Sequence, residues 1–93
     1  MFRTFEEVRD YIDERYEEVI IFSGVTHYAS AFVGVVEDGD TVRAVYSYSK
    51  MIEWLMEECK MSYEDAVEWI DFNTIPACYR INDPLVLFDE DLF

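Results

Sequence analysis

The segment Glu37-Asp38-Gly39-Asp40 constrains this chain more than any other. It separates two apolar runs, Ala29 to Glu37 and Thr41 to Tyr48, and Gly39 offers the positive φ that a tight turn requires. Two such runs around such a turn predict an antiparallel hairpin with its tip at Glu37 to Thr41, and no helix anywhere from Ala29 to Tyr48. In the second run Val42, Ala44, Tyr46 and Tyr48 alternate with Arg43, Val45 and Ser47, so one face packs and the other is partly solvated.

Other elements group around the hairpin. Val19-Ile20-Ile21-Phe22-Ser23 is short and β-branched, is ended by Gly24, and reads as a first strand. After Pro84, Leu85-Val86-Leu87-Phe88 is either a fourth strand or an extended arm, followed by an acidic end, Asp89-Glu90-Asp91-Leu92-Phe93. A first helix is expected over Thr4 to Glu18, where Thr4 and Glu7 make a capping box and Phe5, Val8, Ile12 and Tyr16 recur at helical spacing. Ser49 is placed to cap a second helix reaching about Lys60, with Ile52, Leu55, Met56 and Cys59 on its apolar stripe. Ser62 caps a third, with Met61 and Ala66 as a hydrophobic staple and Ala66, Val67, Ile70 and Phe72 inward by period, until Pro76 ends it. The order α-β-β-β-α-α, with a closing β as an option, is an α+β class: a small antiparallel sheet of three or four strands with three helices on one face. Ninety-three residues hold one such domain, 1–93.

Charge bounds the function. Twenty-one Asp and Glu stand against seven Lys and Arg, a formal net charge of −14, and that self-repulsion is a standing cost to a compact state. The excess is spread over both halves rather than confined to a tail. A chain this acidic lacks the basic footprint for direct nucleic-acid binding and is repelled by an anionic membrane. No run approaches the roughly 18 apolar residues of a membrane span, and the first residues turn acidic where a signal peptide needs an apolar core, so the expected location is the cytoplasm. Cys59 and Cys78 are too few for a disulfide scaffold and match no zinc or redox spacing; they read as buried reduced thiols.

Catalytic chemistry finds little to work with. His27 is the sole histidine and falls in the loop Gly24-Val25-Thr26-His27-Tyr28, where a hydrogen-bonded loop histidine is the ordinary outcome. Three scattered glycines make no phosphate loop, and Glu37-Asp38-Gly39-Asp40 lacks the alternating acids and distal Glu of a calcium loop. Carboxylates are plentiful, but general acid and base work needs pairs whose environments split their pKa values, and these fall on solvent faces. The chain is therefore expected to be no enzyme, with no cofactor and no metal.

Two features point to binding. The first helix carries Glu6, Glu7, Asp10, Asp13, Glu14, Glu17 and Glu18; at a rise of about 1.5 Å per residue these recur roughly every 3 Å. One strand of B-DNA carries a phosphate about every 3.4 Å. Arg9 and Arg15 interrupt the row and can pair with Glu6, Asp13 or Glu18. The second and third helices add Glu53, Glu57, Glu58, Glu64, Asp65, Glu68 and Asp71 against Lys50 and Lys60. The second feature is the aromatic surplus, because Trp, Tyr and Phe are enriched at interface cores. Trp54 and Trp69 sit at the edges of their helices' apolar stripes and are the candidate anchors.

The segments Val19-Ile20-Ile21, Ala31-Phe32-Val33-Gly34-Val35, Ala44 to Glu53 and Met61 to Ile75 with its Asn73-Thr74 ending resemble short uncharacterised acidic proteins carried by bacteriophages and prophages. The resemblance covers most of the chain and implies a context rather than an activity. Small acidic phage proteins include inhibitors of host defence, anti-CRISPR proteins among them, and several imitate DNA. Two function classes follow. One is an inhibitor that blocks a basic nucleic-acid-binding surface of a host protein by DNA mimicry, through Glu6, Asp10, Asp13, Glu17, Glu53, Glu57, Trp54 and Trp69. The other is a homodimer or larger assembly built on exposed aromatics, its acids serving solubility.

Overall fold

The computed structural model of the protein describes residues 2–89. Its elements are α1 (Phe5–Arg15), a 3₁₀ turn (Ala29–Ala31), β1 (Phe32–Asp38), β2 (Thr41–Ser47), α2 (Tyr48–Glu58), α3 (Tyr63–Trp69) and β3 (Leu85–Leu87). A π turn, Ile70–Thr74, and a 3₁₀ turn, Ile75–Ala77, continue directly from α3. The class is α+β. The acidic end expected at 90–93 lies outside the described residues.

The hairpin forms where the turn chemistry places it. β1 and β2 pair antiparallel, Asp38 opposite Thr41, with Gly39 at φ 63° between them. The register shifts between Phe32 and Gly34, a bulge that leaves Val33 unpaired and exposed while Phe32 stays in the core. The expected helix-free stretch fails at both ends, since residues 29–31 form a 3₁₀ turn and Tyr48 already belongs to α2.

The sheet is mixed rather than wholly antiparallel. β3 pairs parallel with the free edge of β2, Val45 opposite Leu85 and Ser47 opposite Leu87. A parallel return requires a crossover, and α2 and α3 supply it. β2 is thus central, with β1 and β3 on its two edges. The expected strand over Val19 to Ser23 is absent from the ladder, although Val19 and Ile21 are buried in alternation. Phe22 N–H donates instead to Tyr46 Oη at 3.2 Å. Alternation there reports burial, not pairing.

Each helix is set by its cap. Thr4 Oγ1 accepts from Glu7 N–H at 3.2 Å and Glu7 Oε1 accepts from Thr4 N–H at 3.1 Å, the expected capping box. α1 stops at Arg15 rather than Glu18: Tyr16 is extended and Glu18 takes a left-handed φ of 58°, turning the chain so that Val19 and Ile21 enter the core. Ser62 caps α3, its Oγ accepting from Asp65 N–H at 3.1 Å. α2 is capped by Ser47, not by Ser49, because β2 runs directly into the helix. Ser49 N–H is taken by the Asp89 carboxylate at 3.0 Å.

Val8 and Ile12 of α1, Ala44 and Tyr46 of β2, Met51, Ile52 and Leu55 of α2, and Ala66 and Ile70 meet in one core. Tyr46 sits at its middle, its ring tilted against Phe22 at 4.6 Å and edge-on to Phe32 at 5.6 Å, and burial pushes its phenol pKa far up. Phe72 is not part of this core, against expectation, and is 76% exposed. It follows Ile70 by two residues, about 200° around a helix, so a buried Ile70 turns it outward.

Candidate binding cleft and acidic surface

Acids are exposed by default unless a specific group holds them inside, and only two are held here. Among acids whose side chains are described, Asp83 and Asp89 are buried and the rest are exposed. Asp83 closes a turn on Arg80: its carboxylate accepts from Arg80 N–H at 2.9 Å and pairs with Nη2 at 2.9 Å, while Arg43 Nε–H donates to its carbonyl at 2.8 Å. The Arg80 side chain and backbone bonds hold the Asp83 carboxyl below the usual range. Burial alone would raise Asp89, but the Ser47 hydroxyl at 2.6 Å and the Ser49 amide hold it low as well. These two acids are structural.

The exposed acids have little compensation. Among the described residues, the other ion pairs are Arg9 with Asp13 at 3.6 Å and Arg15 with Glu14 at 3.4 Å. Arg9 lies over the Phe5 ring and Arg15 over the Tyr11 ring, and Lys60 Nζ donates to the Glu57 carbonyl, so much of the basic complement is engaged locally. Glu6, Asp10 and Asp13 stand on α1 as expected. Glu17 does not, because α1 ends before it; with Glu18 and Asp40 it lines a separate hollow beside Thr41 and Ile81. The phosphate-like spacing therefore holds for Glu6 to Glu14 and stops there. Glu53 and Glu57 share one exposed face of α2, four residues apart.

The N-terminal end of α1 and the C-terminal end of α2 enclose a cleft of about 560 Å³. Arg3, Thr4, Phe5 and Glu6 form one wall, Trp54, Glu58 and Cys59 the other, and the loop Gly24, Val25 and His27 closes the end. A hollow of about 240 Å³ shares Arg3, Trp54 and Glu58 and adds Ser30 and Glu57. His27 is held by its Nδ1, which accepts from Ala29 N–H at 3.2 Å, and its ring meets Phe5 at 6.3 Å and Trp54 at 5.0 Å edge-on. Among the described residues no hydrogen bond joins His27 to Cys59 or to a carboxylate. The cleft sets the carboxylates of Glu6 and Glu58 among its lining beside Arg3 and the side chains of Phe5, His27 and Trp54.

Two sequence-predicted residues, Glu6 and Trp54, line this cleft, and Glu57 joins Trp54 in the adjoining hollow; Asp10, Asp13, Glu17, Glu53 and Trp69 line neither. Trp54 is corrected in kind: it is only 5% exposed, packed against Tyr28 at 5.3 Å, and is a floor rather than a protruding anchor. Its place between Ile52 and Leu55 puts it on the buried arc of α2. Trp69, 38% exposed, borders a second groove of about 370 Å³ with Met61, Asp65, Glu68, Phe72 and Asn73. Arg3, His27 and Glu58 escaped the sequence reading as cleft residues, because their meeting depends on how α1 and α2 pack.

Among the described residues no three His, Cys, Asp or Glu side chains converge on a metal position, and no helix is long and apolar enough to cross a membrane. Comparison with protein-family models, curated proteins and solved structures finds no match.

Proposed function

We propose that this protein acts by binding, not catalysis, and that it occupies a basic nucleic-acid-binding surface of a host protein, as an anti-CRISPR or other anti-defence inhibitor does, its carboxylates standing in for phosphates. The supporting observation is the excess of exposed carboxylates on ordered elements with few ion-pair partners. A surface kept only for solubility gains little from charge beyond a modest excess, while the repulsion it brings acts against folding. On α1 the carboxylates from Glu6 to Asp13 extend over about 10 Å, some three phosphate steps of a DNA strand. The test is capture of partners from host lysate on immobilised protein at low and high salt, followed by elution with duplex DNA. The reading requires that bound proteins be released both by salt and by duplex DNA. Partners that resist both would refute it.

A second reading rests on a different observation, the exposure of Phe72, Trp69, Tyr79 and Ile81. An apolar groove between Met61, Trp69 and Phe72 suits self-association, which salt leaves alone or strengthens. Sedimentation across salt concentrations separates the two.

A further inference from the structure

The groove beside α3 sets exposed aromatic rings in an acidic frame. Met61, Asp65, Glu68, Trp69, Phe72 and Asn73 line it, and both rings among them are exposed. Residues four apart on a helix are neighbours, which sets Asp65 beside Trp69 and Glu68 beside Phe72. Neither carboxylate has an ion-pair partner among the described residues, and from Met61 to Tyr79 the sequence holds four acids and no base. The Trp69 ring is held in place: its indole N–H donates to the phenol of Tyr28, a buried group that Thr74 also bonds at 2.8 Å. A ring pinned to the core by its polar edge, with apolar surface left outside, has little freedom to lose when something docks on it.

We propose that this groove takes a short basic segment of the partner, one that carries apolar side chains between lysines or arginines. The inference rests on the basic-partner reading above and names the surface by which such a partner is gripped. The apolar side chains lie against Trp69 and Phe72, whose burial drives docking, and the flanking cations face Asp65 and Glu68. The same carboxylates weigh against the other occupant of such a groove, a second copy of this chain. Two copies joined here would bring Asp65 and Glu68 of both together with no base from either segment among them, and like charges set against each other oppose association. The groove is also confined to α3 and the turn after it, whereas a stable pair of copies needs about 800 Å² from each. A short basic segment meets neither obstacle.

The experiment is a two-dimensional ¹H–¹⁵N NMR titration of the full chain that follows the two tryptophan indole peaks, assigned with Trp69→Phe. The probe is acetyl-Lys-Lys-Leu-Leu-Lys-Lys-amide. One control peptide replaces its lysines with glutamates, and the other replaces its leucines with serines. The Trp69 peak should move saturably with the probe and hardly at all with either control, while the Trp54 peak stays still. Phe72→Ser should weaken binding at least about fivefold through the lost apolar contact, and Glu68→Gln about twofold to fivefold, the scale of an exposed charge pair. Asp40→Asn, the same loss of one charge at the hairpin tip, should leave binding as it was. A Trp69 peak that is unmoved by the probe, or that moves as far with either control, overturns the proposal; so does equal weakening by Glu68→Gln and Asp40→Asn, which would show only net charge at work. A Trp69 peak that shifts when the protein alone is concentrated gives the groove to a second copy and overturns it too. The two readings fail separately. An empty groove beside salt-sensitive, DNA-competed capture removes the groove site alone, and a filled groove beside capture that resists salt and DNA removes the wider function alone.

Discussion

Replacing Asp89 with alanine should weaken the fold substantially. Asp89 Oδ2 accepts from the buried Ser47 hydroxyl at 2.6 Å and Oδ1 accepts from Ser49 N–H at 3.0 Å, so one carboxylate ties the end of β3 to the junction of β2 and α2. Hydrogen bonds to a charged group contribute about 1.5–3 kcal/mol each, and an anion at a helix N-terminus adds about 0.3–1 kcal/mol. Ser47 Oγ still caps Lys50 N–H at 3.3 Å in the variant, which softens the loss to about 2–4 kcal/mol. For a domain of this size that is a fall in Tm of roughly 10–25 °C at pH 7, read by circular dichroism. The pH dependence follows with a definite sign. The folded pKa lies below the ordinary 3.8, so the contribution is complete above that value and is lost as pH falls through the folded pKa. The stability gap between wild type and Asp89→Ala should therefore narrow in that acid range, with Asp83 cancelling because both chains keep it. A gap below about 0.5 kcal/mol at pH 7, or one that persists undiminished into strong acid, would refute the reasoning.

Tyr46→Phe removes the Oη that accepts from Phe22 N–H and should cost about 1–2 kcal/mol in urea unfolding with an unchanged m-value. Gly39→Ala meets no atom within 4 Å, so its cost is only that of a side chain at φ 63°, about 1 kcal/mol by the same measurement. Phe72→Ser should leave stability within about 0.5 kcal/mol, and if sedimentation shows self-association of the wild type, this variant should abolish it.

Local chemistry made much of the fold legible. Thr4 with Glu7, Ser62, and Gly39 act within a few residues of themselves, and each does what its neighbours dictate. The failures share a physical cause, which is that the deciding partner lies far along the chain. Val19 to Phe22 alternates like a strand, but the alternation only marks which side chains enter the core, and the Phe22 N–H goes to the Tyr46 hydroxyl, 24 residues away, rather than to a ladder. Ser47 rather than Ser49 caps α2 because β2 runs straight into the helix, and the Ser49 amide, already in the first turn, is taken by Asp89 from 40 residues away. The site was legible in type and less so in position. Exposure of Glu6, Asp10, Asp13, Glu53 and Glu57 follows from helical period alone, whereas the cleft needs the start of α1 brought near the end of α2 by long-range packing, and no periodicity conveys that. Trp54 shows the limit most plainly, since a place at the edge of a stripe does not say whether the neighbouring loop, here His27 and Tyr28, will cover it.

The central claim is that the acidic surface is a recognition surface, and the most direct measurement is the association rate with the captured partner across a series of salt concentrations. Wild type is compared with the Glu6→Lys, Asp10→Lys, Asp13→Lys triple variant, whose changes all lie on exposed α1 positions where folding is little affected. Electrostatic steering raises association rates by about 10- to 1,000-fold and fades with salt. The expected result is a wild-type rate that falls steeply as salt rises, and a triple-variant rate at least tenfold slower at low salt with a nearly flat dependence. Equal rates and equal salt slopes for the two proteins would contradict the claim.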